Sequence, residues 1–370
     1  MRYAMIMAGG AGTRLWPVSR QGQPKQLVRF IRRPEHAEPM SLLEIAAERL
    51  EGLVDPDRRY ICTGERYRAE IEAALPAFAG SHLLGEPEGR DTLNAVGFAA
   101  AVFAKEDPDA VFAVLTADHL IEPQEKFVRA FEAGFDLVEQ DPTRLITFGI
   151  TPTFPATGFG YIEQGPKIAG TGGLAFRVNR FVEKPALPKA QAFVDSGNFL
   201  WNAGMFIFHA GTFMKQLAKN HPETAAALQQ IADAWGTPDQ EKVLNELYPT
   251  LKKTSVDYGV MEPASNADDV SIVGVTLDVK WLDVGSWPSY GETVPADSDG
   301  NRVSGCAFES LNSHDNLVIS EGTDDPNHRV SLIGCDDLII VRTPNATLVM
   351  PKDKAQDLKE LHGKLPEAER

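Results

Sequence analysis

The sequence predicts an α/β fold: a mixed, mostly parallel sheet with helices on both faces, followed by a small all-β region. Three observations predict it. Short apolar runs alternate with helical patterns over the first ~150 residues, the signature of a sheet covered on both faces. Polar residues follow these runs directly, at the strand ends where open parallel sheets hold their ligands. After about Ser289 helical periodicity fades into short β-like runs divided by Gly, Asn and Asp. The boundaries expected are a large domain over 1–290 and a small β-rich domain with a terminal helix over 291–370.

The elements follow in order. Tyr3–Met7 is an apolar run ending at a glycine cluster, a buried parallel strand. Ser41–Leu53 reads as a helix, with Ser41 and Glu44 spaced as a capping box. Tyr60–Thr63 is a strand, Tyr67–Ala74 a helix ended by Pro76, and Ala95–Lys105 a buried helix. Ala110–Leu115 is a strand whose polar tail is Thr116–Asp118. Gln124–Glu139 carries Phe127, Ala130, Phe131, Phe135 and Leu137 at helical spacing, and Leu145–Ile150 is a strand. Thr151–Gly173, rich in Gly, Pro and Thr, reads as a long active-site loop region. Strands at Ala175–Phe181, Trp201–His209 and Val270–Thr276 alternate with helices at Ala190–Ser196, Phe213–Trp235 and Glu241–Leu247. Five β runs follow, at Asn301–Ala307, Leu317–Ser320, Val330–Ile333, Leu338–Arg342 and Ala346–Val349, and a helix around Asp353–Leu361. These runs have no strict period and fit an irregular solenoid.

Composition narrows the function. Of 370 residues, 36 are Lys or Arg and 52 are Asp or Glu, a net charge of −16. That balance argues against a nucleic-acid binder, which needs a basic surface, but leaves room for a nucleotide held by a few cations and a metal. The apolar run Ala95–Ala104 is too short to cross a bilayer, which takes ~20 residues. The N-terminal apolar stretch breaks at Gly9, Gly10, Gly12 and Arg14, unlike a secretory leader. Cys62, Cys306 and Cys335 form no CxxC pair, so a reduced, cytoplasmic protein without a disulfide framework or structural zinc is expected.

The loop Ala8-Gly9-Gly10-Ala11-Gly12-Thr13-Arg14, followed by Pro24-Lys25-Gln26, has the chemistry of a phosphate cradle. Glycines let backbone N–H groups approach phosphate oxygens, Arg14 can fork onto them, and Lys25 adds a point charge. It is neither a Walker A box nor the dinucleotide fingerprint, because Leu15 stands where the third glycine belongs. Asp118, at the end of a buried strand, suits a hard cation. As residues alone, Asp118 reads better as a helix N-cap or a hydrogen-bonded strand end, Asp283 equally well as a turn cap, and Glu183-Lys184 better as a solvated strand end.

The segment Met5–Leu27, MIMAGGAGTRLWPVSRQGQPKQL, resembles the signature of the sugar-1-phosphate nucleotidyltransferases. Its Leu15-Trp16-Pro17, Ser19-Arg20 and Pro24-Lys25-Gln26 details are similar to the mannose-1-phosphate guanylyltransferase branch. The resemblance implies a Rossmann-like, GT-A-like nucleotidyltransferase domain over 1–290 and a C-terminal region similar to a left-handed β-helix. It implies that Ala8, Gly9, Gly10, Gly12 and Thr13 bind nucleotide, and that Arg14, Lys25 and Lys184 are catalytic. Asp118 of Thr116-Ala117-Asp118-His119 and Asp283 of Trp281-Leu282-Asp283-Val284-Gly285-Ser286-Trp287 would hold Mg²⁺. His119 reads as structural. Glu183 of Phe181-Val182-Glu183-Lys184-Pro185, Asn202 of Trp201-Asn202-Ala203-Gly204, and Gly158 and Tyr161 of Thr157-Gly158-Phe159-Gly160-Tyr161 would meet the sugar. Asn202 can both donate to and accept from hydroxyls. Glu86, Gly89, Asp91 and Thr92 of the run Glu86–Ala95 would surround base and ribose. Ser255-Val256-Asp257-Tyr258-Gly259 resembles another family block, with no role assigned to it.

The sequence departs from the family pattern in places. Thr116 replaces Pro, Phe159 Tyr, Ala203 Ser, Asp91 Asn, Leu93-Asn94 Ala-Pro, Gly259 Ala, and Asn345 Asp. An ionised Asp91 accepts only, so a contact needing an amide donor would be lost. The implied reaction joins GTP and mannose 1-phosphate into GDP-mannose and pyrophosphate. The isomerase domain of longer relatives is not expected within 370 residues. By analogy with the family, the β region would support a homodimer. Two rivals stay open: another base or sugar, and a catalytically silent sugar-nucleotide-binding paralogue. A dinucleotide-dependent oxidoreductase fails on the broken glycine fingerprint.

Overall fold

The computed structural model describes residues 1–10, 12–20, 24–33, 36, 38–321 and 328–369. Ala11 and residues 21–23 of the signature segment lie outside the described residues. The chain divides into two compact units.

The first unit comprises Met1–Gly9, Ala46–Ala117 and Ile121–Trp281. Its centre is a nine-stranded sheet. Across the sheet the strands run Leu83–Glu86, Arg59–Gly64, Arg2–Met7, Val111–Thr116, Phe199–His209, Arg144–Ile150, Ser271–Thr276, Ala175–Val182 and Tyr161–Lys167. Phe199–His209 and Ala175–Val182 run against the rest, so the sheet is mixed with most strands parallel. The near-continuous apolar runs are buried on both faces, as the sequence predicts. Helix Thr92–Glu106 is buried from Leu93 to Phe103 and packs on helices Ala210–Asn220 and Pro222–Ala234. The helical stretch expected over Phe213–Trp235 is therefore two helices. Pro222 sits at the first turn of the second, where its missing N–H costs nothing. In helix Gln124–Gln140, Phe127 stacks on Phe131 at 4.1 Å and Phe131 on Phe148 at 4.0 Å.

The second unit comprises Gly10–Ile45, Asp118–Leu120 and Leu282–Arg370. The glycine-rich loop and the Leu282–Trp287 segment thus pack with residues 291–370, across the boundary expected at 290. Strands Arg302–Ser304, Leu317–Ser320 and Leu338–Arg342 stack in parallel, with Thr347–Pro351 antiparallel at the end. Ala307–Leu311 pairs in parallel with Arg329–Ile333. Parallel neighbours without crossover helices make a β-helix-like solenoid. Its corners are held by buried asparagines: Asn316 Nδ2 donates to Asn301 Oδ1 at 2.9 Å and to the Cys335 carbonyl at 2.8 Å. The run expected at Asn301–Ala307 is two strands, because Gly305 turns at φ 77° and a Cβ there would lie 1.9 Å from the Ser320 carbonyl oxygen. Leu15, Trp16, Trp287, Tyr290, Leu317, Ile339 and Leu358 share one core. The Ser41/Glu44 capping box forms, but its helix is Leu42–Glu48, shorter than expected. The terminal helix is Leu358–Lys364, preceded by a short 3₁₀ turn.

Candidate active site

In the second unit, three chain segments converge. Strand end Asp118 and Asp283 are brought together by a backbone bond from the Val284 N–H to the Asp118 carbonyl, 3.0 Å. Lys25, buried, donates from Nζ to Asp118 Oδ2 at 2.5 Å. Its position depends on Gly12, which turns at φ 61°; a Cβ there would stand 2.8 Å from Lys25 Cβ. Arg14 is exposed, and its Nη2 and Asp283 Oδ1 both flank Gly285. Burial works against the charge of Asp118, but Lys25 and His119 overcome it and hold the carboxyl down near 2. Asp283 moves the other way, raised by burial and by the Asp118 charge. Two carboxylates forced apart in this way share a position suited to a cation.

The metal reading can be tested on these atoms. One ligand atom each from Asp118, His119 and Asp283 lies within 4.8 Å of the others, the one such group among the described residues. Lys25 occupies Asp118 Oδ2, leaving Oδ1, which lies 3.9 Å from His119 Nε2. The donor set of two carboxylate oxygens and an imidazole fits a divalent cation. His119, read from sequence as structural, belongs to this group. The signal was its place beside Asp118.

In the first unit, the predicted sugar residues meet at one corner of the sheet. Asn202 Oδ1 accepts from the Thr147 hydroxyl at 2.7 Å and from the Gly204 N–H at 3.2 Å, and Asn202 Nδ2 donates to Asp257 Oδ1 at 2.9 Å. Both acceptor positions of the amide are therefore filled, and the expectation that Asn202 also accepts from a sugar is corrected to one free N–H. Glu183 pairs with Lys184, and its side chain is only 5% exposed. Lys184 stands at φ 44°, a backbone conformation uncommon outside glycine. Asp257 is pushed up to about 7 by burial and by Glu183, against Lys184. Gly160, not singled out in the sequence, is the tight glycine here. A Cβ on it would lie 2.5 Å from Glu183 Oε2, whereas Gly158 is exposed with open space around it. The second glycine of Gly158-Phe159-Gly160 was the available signal. Tyr161 is fully buried with its hydroxyl donating to the Ala156 carbonyl at 2.9 Å, so its side chain serves the core rather than a sugar.

The nucleotide residues divide similarly. The Ala8 N–H donates to the Cys62 carbonyl and the Ala8 carbonyl accepts from Thr63, so this backbone belongs to the sheet. Gly9 and Gly10 are exposed, and Gly12 and Thr13 partly so. Glu86 is buried, and its Oε1 accepts from the Tyr248 hydroxyl at 2.6 Å. Burial raises its carboxyl, with Tyr248 and the Arg90 N–H pulling it back. Gly89 is exposed. Asp91, at φ 69°, caps helix Thr92–Glu106 by accepting from the Thr92 N–H, and the Thr92 hydroxyl accepts from the Val256 N–H at 3.0 Å.

Packing accounts for several departures from the family pattern. Leu93 fills the space that a Cβ on Gly259 would need, 2.6 Å from Leu93 Cδ2, so a larger residue at one position matches a smaller one at the other. Asn94 donates to the carbonyls of Arg90 and Lys252, tying the helix start to the segment before Asp257. Nothing in the structure explains Ala203 or Asn345.

A family model described as Nucleotidyl transferase matches residues 3–300, and one described as MannoseP isomerase/GMP-like beta-helix domain matches 310–365. The chain is 35% identical to a mannose-1-phosphate guanylyltransferase of Escherichia coli over 97% of its length and 73% of the relative's. It is 33% identical to the xanthan biosynthesis protein XanB of Xanthomonas campestris over 99% of its length and 73% of that protein's. A crystal structure from Thermus thermophilus, described as a mannose-1-phosphate geranyltransferase, superposes with a TM-score of 0.82 at 29% identity, covering 98% of both chains.

Proposed function

The chain belongs to the sugar-1-phosphate nucleotidyltransferases, in the branch of the mannose-1-phosphate guanylyltransferases, and we propose that it transfers GMP from GTP to mannose 1-phosphate, releasing pyrophosphate. The observation that carries the reading is the meeting of Asp118 and Asp283, far apart in the sequence, with Lys25 and Arg14 around them. The sugar phosphate is largely dianionic at neutral pH, its second pKa being about 6, so an oxygen of it attacks the α-phosphorus without a general base. Catalysis is then positioning and charge neutralisation.

Asp118 and Asp283, with His119 beside them, would hold a divalent cation, which we take to be Mg²⁺ and which supplies charge neutralisation at the phosphates when bound. Arg14 and Lys25 offset charge on the departing pyrophosphate. Lys25 can do so while Asp118 keeps its ammonium placed. Gly9, Gly10, Gly12 and Thr13 present backbone N–H groups to the phosphates. Lys184 takes the sugar phosphate, exchanging its pairing with Glu183 for the incoming dianion. Glu183 and the free N–H of Asn202 meet ring hydroxyls. Among the described residues no helix is long and apolar enough to cross a membrane, and Cys62, Cys306 and Cys335 are free thiols, which fits reaction in the cytoplasm.

Pyrophosphate release with Mg²⁺ tests the reading, pairing GTP, ATP, UTP and dTTP with mannose 1-phosphate and glucose 1-phosphate. Release chiefly from GTP with mannose 1-phosphate is expected. Release from another pair overturns the substrates and keeps the chemistry; silence throughout with retained sugar-nucleotide binding makes the chain a silent paralogue.

A further inference from the structure

Asp257 has no role in the mechanism so far, yet it stands at the centre of the sugar corner. It opens a single π-turn, Asp257–Met261, a rare form of helix that is frequent at functional sites. Its Oδ1 takes one N–H of Asn202, the one hydrogen bond that its carboxylate accepts from another residue among the described residues. A carboxylate offers about four lone-pair sites, so acceptor capacity remains.

The hydrogen-bond supply around it is lopsided. A ring hydroxyl donates and accepts, and a site that reads it needs both partners. Asn202 has one N–H left and no acceptor capacity. Glu183 is almost wholly covered, with Oε2 against Gly160, so that it offers a sugar only the Oε1 that Lys184 gives up on turning to the phosphate. Asp257 remains partly exposed, whereas Asn202 is buried. A carboxylate is also a poor structural choice at this place. Burial and Glu183 both oppose its ionisation, one bond to a neutral amide does not offset that cost, and an asparagine or serine would orient Asn202 at lower cost. Such an unfavourable carboxylate in a ligand site points to function.

We propose that Asp257 is a sugar-binding residue, which accepts a ring hydroxyl of the sugar 1-phosphate while it orients Asn202 to donate to the same ring. The inference rests on the sugar-1-phosphate reading above and deepens it. It adds a second carboxylate to Glu183 as an acceptor, so that hydroxyl recognition is shared between the two.

The test compares wild type with Asp257→Asn on mannose 1-phosphate and on its 2-, 3-, 4- and 6-deoxy analogues. The expected result is a KM for mannose 1-phosphate raised about 10- to 100-fold, as for loss of a bond to a charged group, with the KM for GTP unchanged. The penalty disappears for the single analogue that lacks the contacted hydroxyl. Asp257→Glu, which restores a carboxylate, recovers part of the loss. An unchanged sugar KM overturns the proposal. An equal penalty on every analogue also overturns it and reduces Asp257 to holding Asn202. Melting curves and the GTP KM report folding, and Asp257→Ser replaces the Asn variant if that one does not fold. If wild type uses a different sugar 1-phosphate, the substrate reading fails separately and the same comparison is made on that sugar. If wild type turns over nothing, calorimetric binding of mannose 1-phosphate reads the difference, and equal binding by both proteins overturns the proposal.

Discussion

In the second unit, Lys25, Asp118, Asp283 and Arg14 are held by opposite charge, Arg14 and Lys25 on short 3₁₀ turns, Asp118 just past a strand and Asp283 at the end of one, around a glycine that leaves room for Lys25. In the first unit, Asn202 is held by neutral bonds from Thr147 and Gly204 and by Asp257, on strands of the central sheet. The charged cluster can exchange partners when phosphates and a cation arrive, because each ion pair is replaceable by another of the same sign. The Asn202 amide of the sugar corner cannot, because its bonds fill its acceptor positions and fix its direction. Phosphate chemistry tolerates the first arrangement, since charge acts over several ångströms. Discrimination among hydroxyls needs the second, since hydrogen bonds weaken steeply with misalignment.

The contrast breaks most easily at the charged cluster. Asp283→Ala should lower kcat by ~10²-fold or more, because it removes a cation ligand and its pull on transition-state charge. Chelation by EDTA should do at least as much, reversed by Mg²⁺, with little change in melting temperature. Pyrophosphate release read beside a thermal melt checks both, and near-normal turnover by the Ala variant would sink the metal assignment.

A smaller effect is expected where packing supports the first unit. Leu93→Ala should cost about 2–4 kcal/mol in urea unfolding by opening a cavity. Gly259→Ala should cost about 1–3 kcal/mol by overfilling the same space. The double variant should recover at least ~1 kcal/mol of the sum, and strict additivity would show that the two positions do not share a volume. Smaller again, Gly12→Ala should cost about 1–2 kcal/mol for its left-handed backbone. It should weaken turnover by displacing Lys25, whereas Gly10→Ala, with no atom near its Cβ, should leave Lys25 in place.

The gentlest measurement sharpens the sugar corner. Asp257 rises from 3.8 to about 7, so the folded chain keeps a proton that the unfolded chain releases. Its contribution to stability is complete below pH 3.8 and is lost as pH climbs through about 7. Melting temperatures of wild type and Asp257→Asn between those values should therefore diverge, with wild type losing ground as pH rises. Parallel curves would mean that Asp257 titrates as an ordinary carboxylate.

Much of this was legible in the residues. The buried strands announced themselves as continuous apolar runs, and the capping box at Ser41 and Glu44 forms as spaced. The helix at Thr92–Glu106 was visible by composition but began three residues early, because Asp91 caps it from a left-handed conformation that no propensity favours. Strands Leu83–Glu86 and Tyr161–Lys167 were missed, being short or interrupted by Gly and Pro.

By itself, the sequence determined the types of chemistry present: a glycine loop with two cations, acidic strand ends, and a Glu-Lys pair before a proline. Local patterns carry that information because residue type and spacing set it. Only the tertiary structure decided which groups remain available. Asn202 lost its acceptor capacity to Thr147 and Gly204, Tyr161 went to the core, His119 joined the carboxylates, and Leu93 took the space left by Gly259. The deciding partner in most of them is distant in the chain, Thr147 for Asn202, Asp283 for the Asp118–His119 pair and Gly259 for Leu93, and a competition of that kind for a hydrogen bond or a volume leaves no trace in a local pattern.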